Sequence, residues 1–421
     1  MKLFGKILAA VVCAAFIMAA APYALAEEAV TTQSKKIIID TESGETEKEL
    51  LSDSIPAWAA GEPSVPANAD AIEIGGKSAV LIELSSGQVL YEKNPHERLP
   101  IASVTKIMTM LLIMEAVDSG LITLNDNVTC SSFAASMGGS QIWLEPGEIM
   151  TVDDLLKAIA VVSANDACVM MAEYICGSME GFVQKMNERA AELGMHNTLF
   201  KDCTGLDDTA YSSAYDVALM SRELMKHKQV TKYTTIWMDT LRNGESQLVN
   251  TNKLIRFYQG ATGLKTGTTS KAGHNLSATA ERNGMGLAAV ILGCKTSDER
   301  FSGARKLLDY GFANYSVYTP KVEEGSLKPV KVLRGVEPAV DSVMDELQPL
   351  LIKKGQEKGI TQSLTLAGDL EAPVYKGQVI GELVLMIEGN VAAKYDVYAA
   401  KDVPRLGFFQ AFIRIFLALI S

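Results

Sequence analysis

The stretch Pro100-Ile-Ala-Ser103-Val-Thr-Lys106-Ile-Met-Thr-Met-Leu-Leu-Ile-Met114 decides how the rest of the chain is read. Ile107, Met110, Leu111 and Met114 recur at helical spacing, so a buried helix opens near Ser103. Positions i and i+3 share one face of a helix, which brings the Lys106 amine to the Ser103 hydroxyl. A serine is a poor nucleophile at its free pKa and needs an adjacent base. Lys106 can serve if burial and a second cation disfavour its charged form. Ser103 also stands at the helix start, just after Pro100, where free backbone N–H groups and the helix dipole favour a developing alkoxide.

Two further motifs follow in order. Ser163-Ala-Asn165 falls in a helical region read as running from Val152 to Tyr174, and offers a hydroxyl to relay a proton and an amide to hold a peptide backbone. Lys265-Thr266-Gly267 lies between turn-forming residues and reads as a strand. As a sheet edge it would take an extended peptide, with Gly267 allowing close backbone approach and Lys265 with Thr266 meeting a carboxylate. Lys265 is also the natural second cation for Lys106, and the N–H groups of Ser103 and Thr268 are candidate oxyanion donors. Each motif alone is a weak signal; together, in order and each in the structure its chemistry needs, they are specific.

Working outward, Ser78 to Leu84 and Gln88 to Glu92 flank a Ser85-Ser86-Gly87 turn as a hairpin, and Asn275 to Ala280 with Leu287 to Leu292 flank Arg282-Asn283-Gly284 as a second. Ser297 to Phe312 reads as a helix. Strands at both ends of this segment with helices between predict an α+β domain whose antiparallel sheet is assembled from non-contiguous pieces. From Tyr318 to Val403 the pattern changes to short β runs, including Val330-Lys-Val-Leu, Ser363-Leu-Thr-Leu and Glu382-Leu-Val-Leu-Met-Ile, which predicts a separate small β-rich domain.

The chain has 421 residues, 48% of them hydrophobic, enough for a sizeable core. Lys2 and Lys6, an apolar run from Ile7 to Ala21 and the small-x-small pattern Ala24-Leu25-Ala26 read as a signal peptide over 1–26, the alternative being an uncleaved anchor. Without Lys2 and Lys6, 37 Lys and Arg stand against 50 Asp and Glu, a net charge of −13, which argues against a nucleic-acid partner. Residues 27–70 are acidic, then rich in Ala and Pro, and read as a flexible linker. Beyond Cys13 in the apolar run, the five cysteines (Cys130, Cys168, Cys176, Cys203 and Cys294) are too sparse for a disulfide framework, and no Cys and His spacing suggests a metal site. No cofactor is implied. In the tail, Phe409, Phe412, Ile413, Phe416 and Ile420 share a helical face opposite Gly407, Gln410, Arg414 and Ala418, which predicts an interfacial membrane anchor over 405–421, the alternative being a helix packed on the β-rich domain.

With Leu90-Tyr-Glu-Lys-Asn94, Leu193-Gly-Met195, Thr204-Gly-Leu-Asp207, Asn250-Thr-Asn-Lys253 and Ala272-Gly273 added to the three motifs, the chain resembles the low-molecular-mass penicillin-binding proteins, the serine-type D-Ala-D-Ala carboxypeptidases. The resemblance implies a penicillin-binding/β-lactamase-like catalytic domain over 71–317, a β-rich domain over 318–404 and a membrane-binding helix. It implies acylation at Ser103, Lys106 as proton acceptor and Ser163 as proton relay. Asn165, Lys265, Thr266, Gly267 and Thr268 would contact substrate, and Arg300 would stand near the substrate carboxylate, the alternative for Arg300 being a solvated helix cation. The substrate implied is a peptidoglycan stem peptide ending in D-Ala-D-Ala, with β-lactams as covalent inhibitors. Two positions depart from the family pattern: Thr268 stands where some members have histidine, and Cys203 where a polar or small residue is commoner.

Other readings of the same motifs are a β-lactamase, a DD-endopeptidase or transpeptidase, and a non-catalytic β-lactam sensor. A β-lactamase needs a positioned base for fast deacylation, and Ala164 replaces the Asp of that class's second motif. A sensor has no need of a paired nucleophile and base.

Overall fold

Two hairpins and one further strand build the sheet on which the site rests. The computed structural model describes residues 36–38, 46–61 and 68–420, so the signal-peptide segment lies outside the described residues. Strand order across the sheet is Val89–Lys93, Ser78–Glu83, Met285–Cys294, Gly273–Arg282 and Ala261–Thr269, every neighbour antiparallel. The first hairpin turns at Ser85-Ser86, whose backbone N–H groups donate to the buried Glu83 carboxylate at 3.0 and 2.7 Å. The second turns at Asn283-Gly284, both at positive φ (52° and 77°), the conformation an Asn-Gly pair favours in a tight hairpin.

Side chains alternate across a strand, and here both faces are buried. Val80, Ile82, Ala288 and Val290 face one apolar cluster, while Ala79, Leu81, Leu287, Ala289 and Ile291 face the other. The first cluster surrounds the helix Lys106–Asp118, which is buried on nearly every side and therefore carries apolar residues all round rather than in one stripe. The second is closed by the helix Ser297–Asn314 through Phe301, Ala304, Leu307 and Leu308. The α+β class and the non-contiguous sheet are thus as the sequence predicts.

Two expectations need correction. The region from Val152 is two helices, Val152–Val162 and Asn165–Cys176, because Ser163 adopts a left-handed conformation (φ 64°, ψ 30°) that ends the first. The apolar period runs on through Ala164 and hides the break. Described parts of 27–70 are also packed rather than free: Lys36–Ile38 pairs parallel with Ser246–Val249, Leu50 is buried, and Trp58 stacks on Phe301 with ring centroids 5.1 Å apart. Each short piece carries one apolar residue that the body takes up, a signal lost in a segment-wide average.

The β-rich region takes its first strand at Tyr315–Tyr318, paired with Leu350–Lys353, just before the expected boundary. Its main sheet runs Ser342–Met344, Asn390–Ala399, Val379–Ile387 and Ile360–Leu366. Val330, Val332, Val340, Val374, Ile380 and Val397 contribute to its own core. The chain ends in a helix, Phe408–Ile420, on which Phe408, Phe409, Phe412, Ile413, Leu417 and Ile420 are exposed. Among the described residues, no helix is long and apolar enough to cross a membrane.

Candidate active site

The Ser103 turn is bent at its entry. Ala102 has φ 49°, a left-handed value that costs a non-glycine residue on the order of 1–3 kcal/mol, and a 3-10 turn Ala102–Thr105 then leads into the helix at Lys106. The bend is held from outside: Asn275 Nδ2 donates to the Pro100 carbonyl at 3.2 Å, and Leu99 bridges to Ser212. The sheet therefore fixes the turn.

Within it, Lys106 Nζ donates to Ser103 Oγ at 2.7 Å and to the Thr204 carbonyl at 2.7 Å. Ser103 is 1% exposed and Lys106 fully buried. The i, i+3 geometry read from the sequence is realised, with a second anchor, the Thr204 carbonyl, that sequence spacing did not reveal.

The edge strand Ala261–Thr269 passes directly over this turn. A Cβ on Gly267 would stand 2.6 Å from the Ile101 carbonyl oxygen and 3.0 Å from Ser103 N, so only glycine lets the strand come so near. Lys265 is 2% exposed and its Nζ donates to the Thr266 carbonyl at 3.0 Å. Thr266 Oγ1 is 2.8 Å from Thr251 Oγ1, which ties the Asn250-Thr-Asn-Lys253 segment to the strand. Thr268 is partly exposed at the strand end, and its Oγ1 accepts from Arg300 Nη1 at 3.0 Å. Arg300 is fully buried and also reaches Ser297 Oγ at 3.2 Å. It is therefore no solvated helix cation.

Ser163 and Asn165 flank the helix break and are both fully buried. Ser163 Oγ has no hydrogen-bond partner among the described residues, a cost of roughly 1–3 kcal/mol for a group that only structure would explain. Asn165 Nδ2 donates to the Gly138 carbonyl at 2.8 Å and Asn165 N to the Ser140 carbonyl at 2.7 Å. The next residue, Asp166, is buried and accepts from Ile142 N and Leu144 N, so its carboxylate pins the 138–144 segment beside Asn165. Burial pushes the Asp166 carboxyl up despite these donors.

The electrostatic surroundings are compact. Burial pushes the Cys168 thiol up to about 12, partly opposed by both Lys106 and Lys265, so the two lysines act on one point of the interior. Cys168 and Cys203 are free and fully buried, the role of small core residues. Among the described residues no group of three or more His, Cys, Asp or Glu stands placed to hold a metal ion.

Sequence reasoning missed three elements of this site: Asp166, Asn275, and the turn after Asp202. The Asp202-Cys-Thr204-Gly205 string, a carboxylate two residues before a Thr-Gly, carries a turn signal that would have found the last. Gly205 sits at φ 88°, and a Cβ there would stand 2.0 Å from the Ala102 carbonyl oxygen. Gly205→Ala is expected to destabilise the protein by about 3 kcal/mol, a shift readable as a lowered denaturant midpoint.

A buried serine and lysine in contact, a second serine and asparagine at a helix break, and a Lys-Thr-Gly strand over the serine make up a candidate active-serine acyl-transfer site on an α+β scaffold. Family comparison is specific. The D-alanyl-D-alanine carboxypeptidase family model (peptidase S11) matches residues 64–296, and that of the penicillin-binding protein 5 C-terminal domain matches 315–405. D-alanyl-D-alanine carboxypeptidase DacF of Bacillus subtilis is 47% identical over 337 residues, 79% of this chain and 87% of the relative. Penicillin-binding protein 5 of Haemophilus influenzae superposes with a TM-score of 0.69 at 32% identity, covering 79% of this chain and 99% of that one. The ampicillin-bound form of penicillin-binding protein D2 from Listeria monocytogenes gives 0.50 at 32% identity, covering 57% and 99%. The chain belongs to the D-alanyl-D-alanine carboxypeptidase family, and it is a serine-type peptidase that hydrolyses the D-Ala-D-Ala bond.

Proposed function

We infer that the hydrolysis runs through an acyl-enzyme on Ser103. The observation that carries this reading is the 2.7 Å hydrogen bond between Lys106 Nζ and Ser103 Oγ in a site closed to solvent. Ser103 Oγ attacks the carbonyl carbon between the two D-alanines while Lys106, in its neutral form, takes the hydroxyl proton. Charge on the carbonyl oxygen is met by the N–H groups of Ser103 and Thr268. The C–N bond then breaks, and the leaving D-alanine amine takes a proton relayed through Ser163 Oγ, whose lack of an internal partner suits a group that must bond to substrate. Asn165 holds the peptide backbone, Gly267 and Thr266 line the strand edge, and Lys265, Thr268 and Arg300 receive the terminal carboxylate. Water finally attacks the ester, releasing the shortened peptide and restoring Ser103 O–H.

A penicillin would acylate the same oxygen and stay longer, as its ring-opened product retains the amine as a tethered group. Water and amine acceptors separate hydrolysis from cross-linking. In a pentapeptide assay with an added D-amino acid, D-alanine release is expected to match formation of free tetrapeptide. Dominant formation of the amine-exchanged peptide would replace the carboxypeptidase reading with a transpeptidase.

The reading of location is an exported enzyme, with 1–26 removed as a signal, a catalytic domain to about 317, the β-rich domain to 404 and a surface-seeking helix over 405–421. Support comes from the row of exposed Phe408, Phe409, Phe412, Ile413, Leu417 and Ile420 side chains. Deleting 405–421 from the mature chain is expected to abolish co-sedimentation with anionic phospholipid vesicles and leave D-alanine release unchanged. Undiminished vesicle binding would contradict the anchor.

A further inference from the structure

The Asp202 side chain is turned wholly toward its own turn. Its Oδ1 accepts from Thr204 N at 2.7 Å, from Thr204 Oγ1 at 3.1 Å and from Gly205 N, and its Oδ2 accepts from Asp207 N at 2.6 Å. Two oxygens of one side chain thus take four donors from a single turn. Asp202 is 9% exposed, so these bonds face little competition from water.

This turn is the part of the fold that touches both reacting groups. Lys106 Nζ donates at equal distance to Ser103 Oγ and to the Thr204 carbonyl, each at 2.7 Å. One helical turn on, Thr109 Oγ1 donates to the Cys203 carbonyl at 2.7 Å, so two successive carbonyls of the turn are taken by the helix that carries Lys106. On the other side, Gly205 packs so closely on the Ala102–Ser103 peptide that a Cβ would stand 3.0 Å from Ser103 N, a candidate oxyanion donor. If the turn relaxed, the lysine would lose the carbonyl that aims it and the Ser103 N–H would lose its backing.

Resting on the assignment of Ser103 and Lys106 above, we propose that Asp202 is a positioning residue of the acylation step, holding the Thr204–Asp207 turn that orients Lys106 Nζ and the Ser103 peptide. It touches no reacting atom and acts through that turn. A misplacement of the base by about 1 Å is enough to slow a reaction by about 10²-fold.

The test is acylation of the folded protein by a fluorescent penicillin over a range of concentrations, giving a maximal rate, a half-saturating concentration and the fraction of sites titrated. Asp202→Ala is expected to lower the maximal rate by about 10²-fold, with the half-saturating concentration and the titrated fraction unchanged. Asp202→Asn keeps one acceptor oxygen but turns an N–H group on Asp207 N, and its rate should lie between the two. If Asp202→Ala does not fold, Asp202→Asn decides. A wild-type maximal rate in the folded variant, or a loss seen only in the titrated fraction, overturns the positioning role. Mapping the adduct separates the two levels of the account. Equal rates with the label on Ser103 sink the Asp202 assignment alone, whereas a wild-type label elsewhere removes the nucleophile on which it rests.

Discussion

Ser103→Ala is expected to lower D-alanine release from a D-Ala-D-Ala pentapeptide by about 10⁴-fold or more, since loss of a nucleophile removes the covalent route entirely. The fold should survive. The hydroxyl accepts a hydrogen bond from Lys106, the turn's shape is fixed by Asn275 and by the strand above, and Lys106 keeps the Thr204 carbonyl. A stability loss of about 1 kcal/mol is the scale for one such bond. Measured together, release rate and thermal midpoint separate chemistry from folding: release at the wild-type rate by the folded variant would show that another group attacks.

Lys106→Ala is the second large effect. The side chain is fully buried and is the base candidate in contact with Ser103 Oγ, so acylation by penicillin should slow by about 10³-fold, within the range ascribed to general acid–base catalysis. The substitution also leaves the Thr204 carbonyl without its donor and opens space where the lysine stem lay, so the thermal midpoint should fall as well. Rapid labelling of this variant at the wild-type rate would contradict the role given to Lys106. The two variants differ in one useful way: Ser103→Ala should form no adduct at all, whereas Lys106→Ala should form the same adduct slowly.

What the sequence made legible was local. Ser103 and Lys106 are three apart, Lys265 to Thr268 are consecutive, and the Asn283-Gly284 turn declares its own conformation, so each could be read without knowing the fold. Period-2 and helical patterns likewise placed the sheet and its flanking helices. What escaped was long-range or masked by a stronger pattern. The Thr204 carbonyl meets Lys106 across 98 residues of chain, and Asn275 reaches Pro100 across 175, separations that no motif encodes. The break at Ser163 was concealed because Val161, Val162 and Ala164 continue an apolar run through it, and a left-handed serine carries no composition signal. Trp58 and Leu50 were hidden in a polar stretch whose average resembles a tether. Arg300 was ambiguous for a different reason: on a helix with charged neighbours it reads as solvated, and only the packing of that helix against the strand end buries it.

The same contrast explains why the site's support is harder to read than its chemistry. Ser103, Lys106, Asn165 and Lys265 had to be particular residue types for a reaction. Asp166 and Asp202 instead had to be acceptors at points where several backbone N–H groups converge, and those points exist only once the chain has folded.

Where the acyl group goes identifies the nucleophile. Wild-type protein and Ser103→Ala should each be incubated with penicillin, digested, and the modified peptide identified by mass. A single adduct on Ser103 is expected in the wild type and none in the variant; an adduct on any other residue, or an equal one in Ser103→Ala, would contradict Ser103 as the nucleophile.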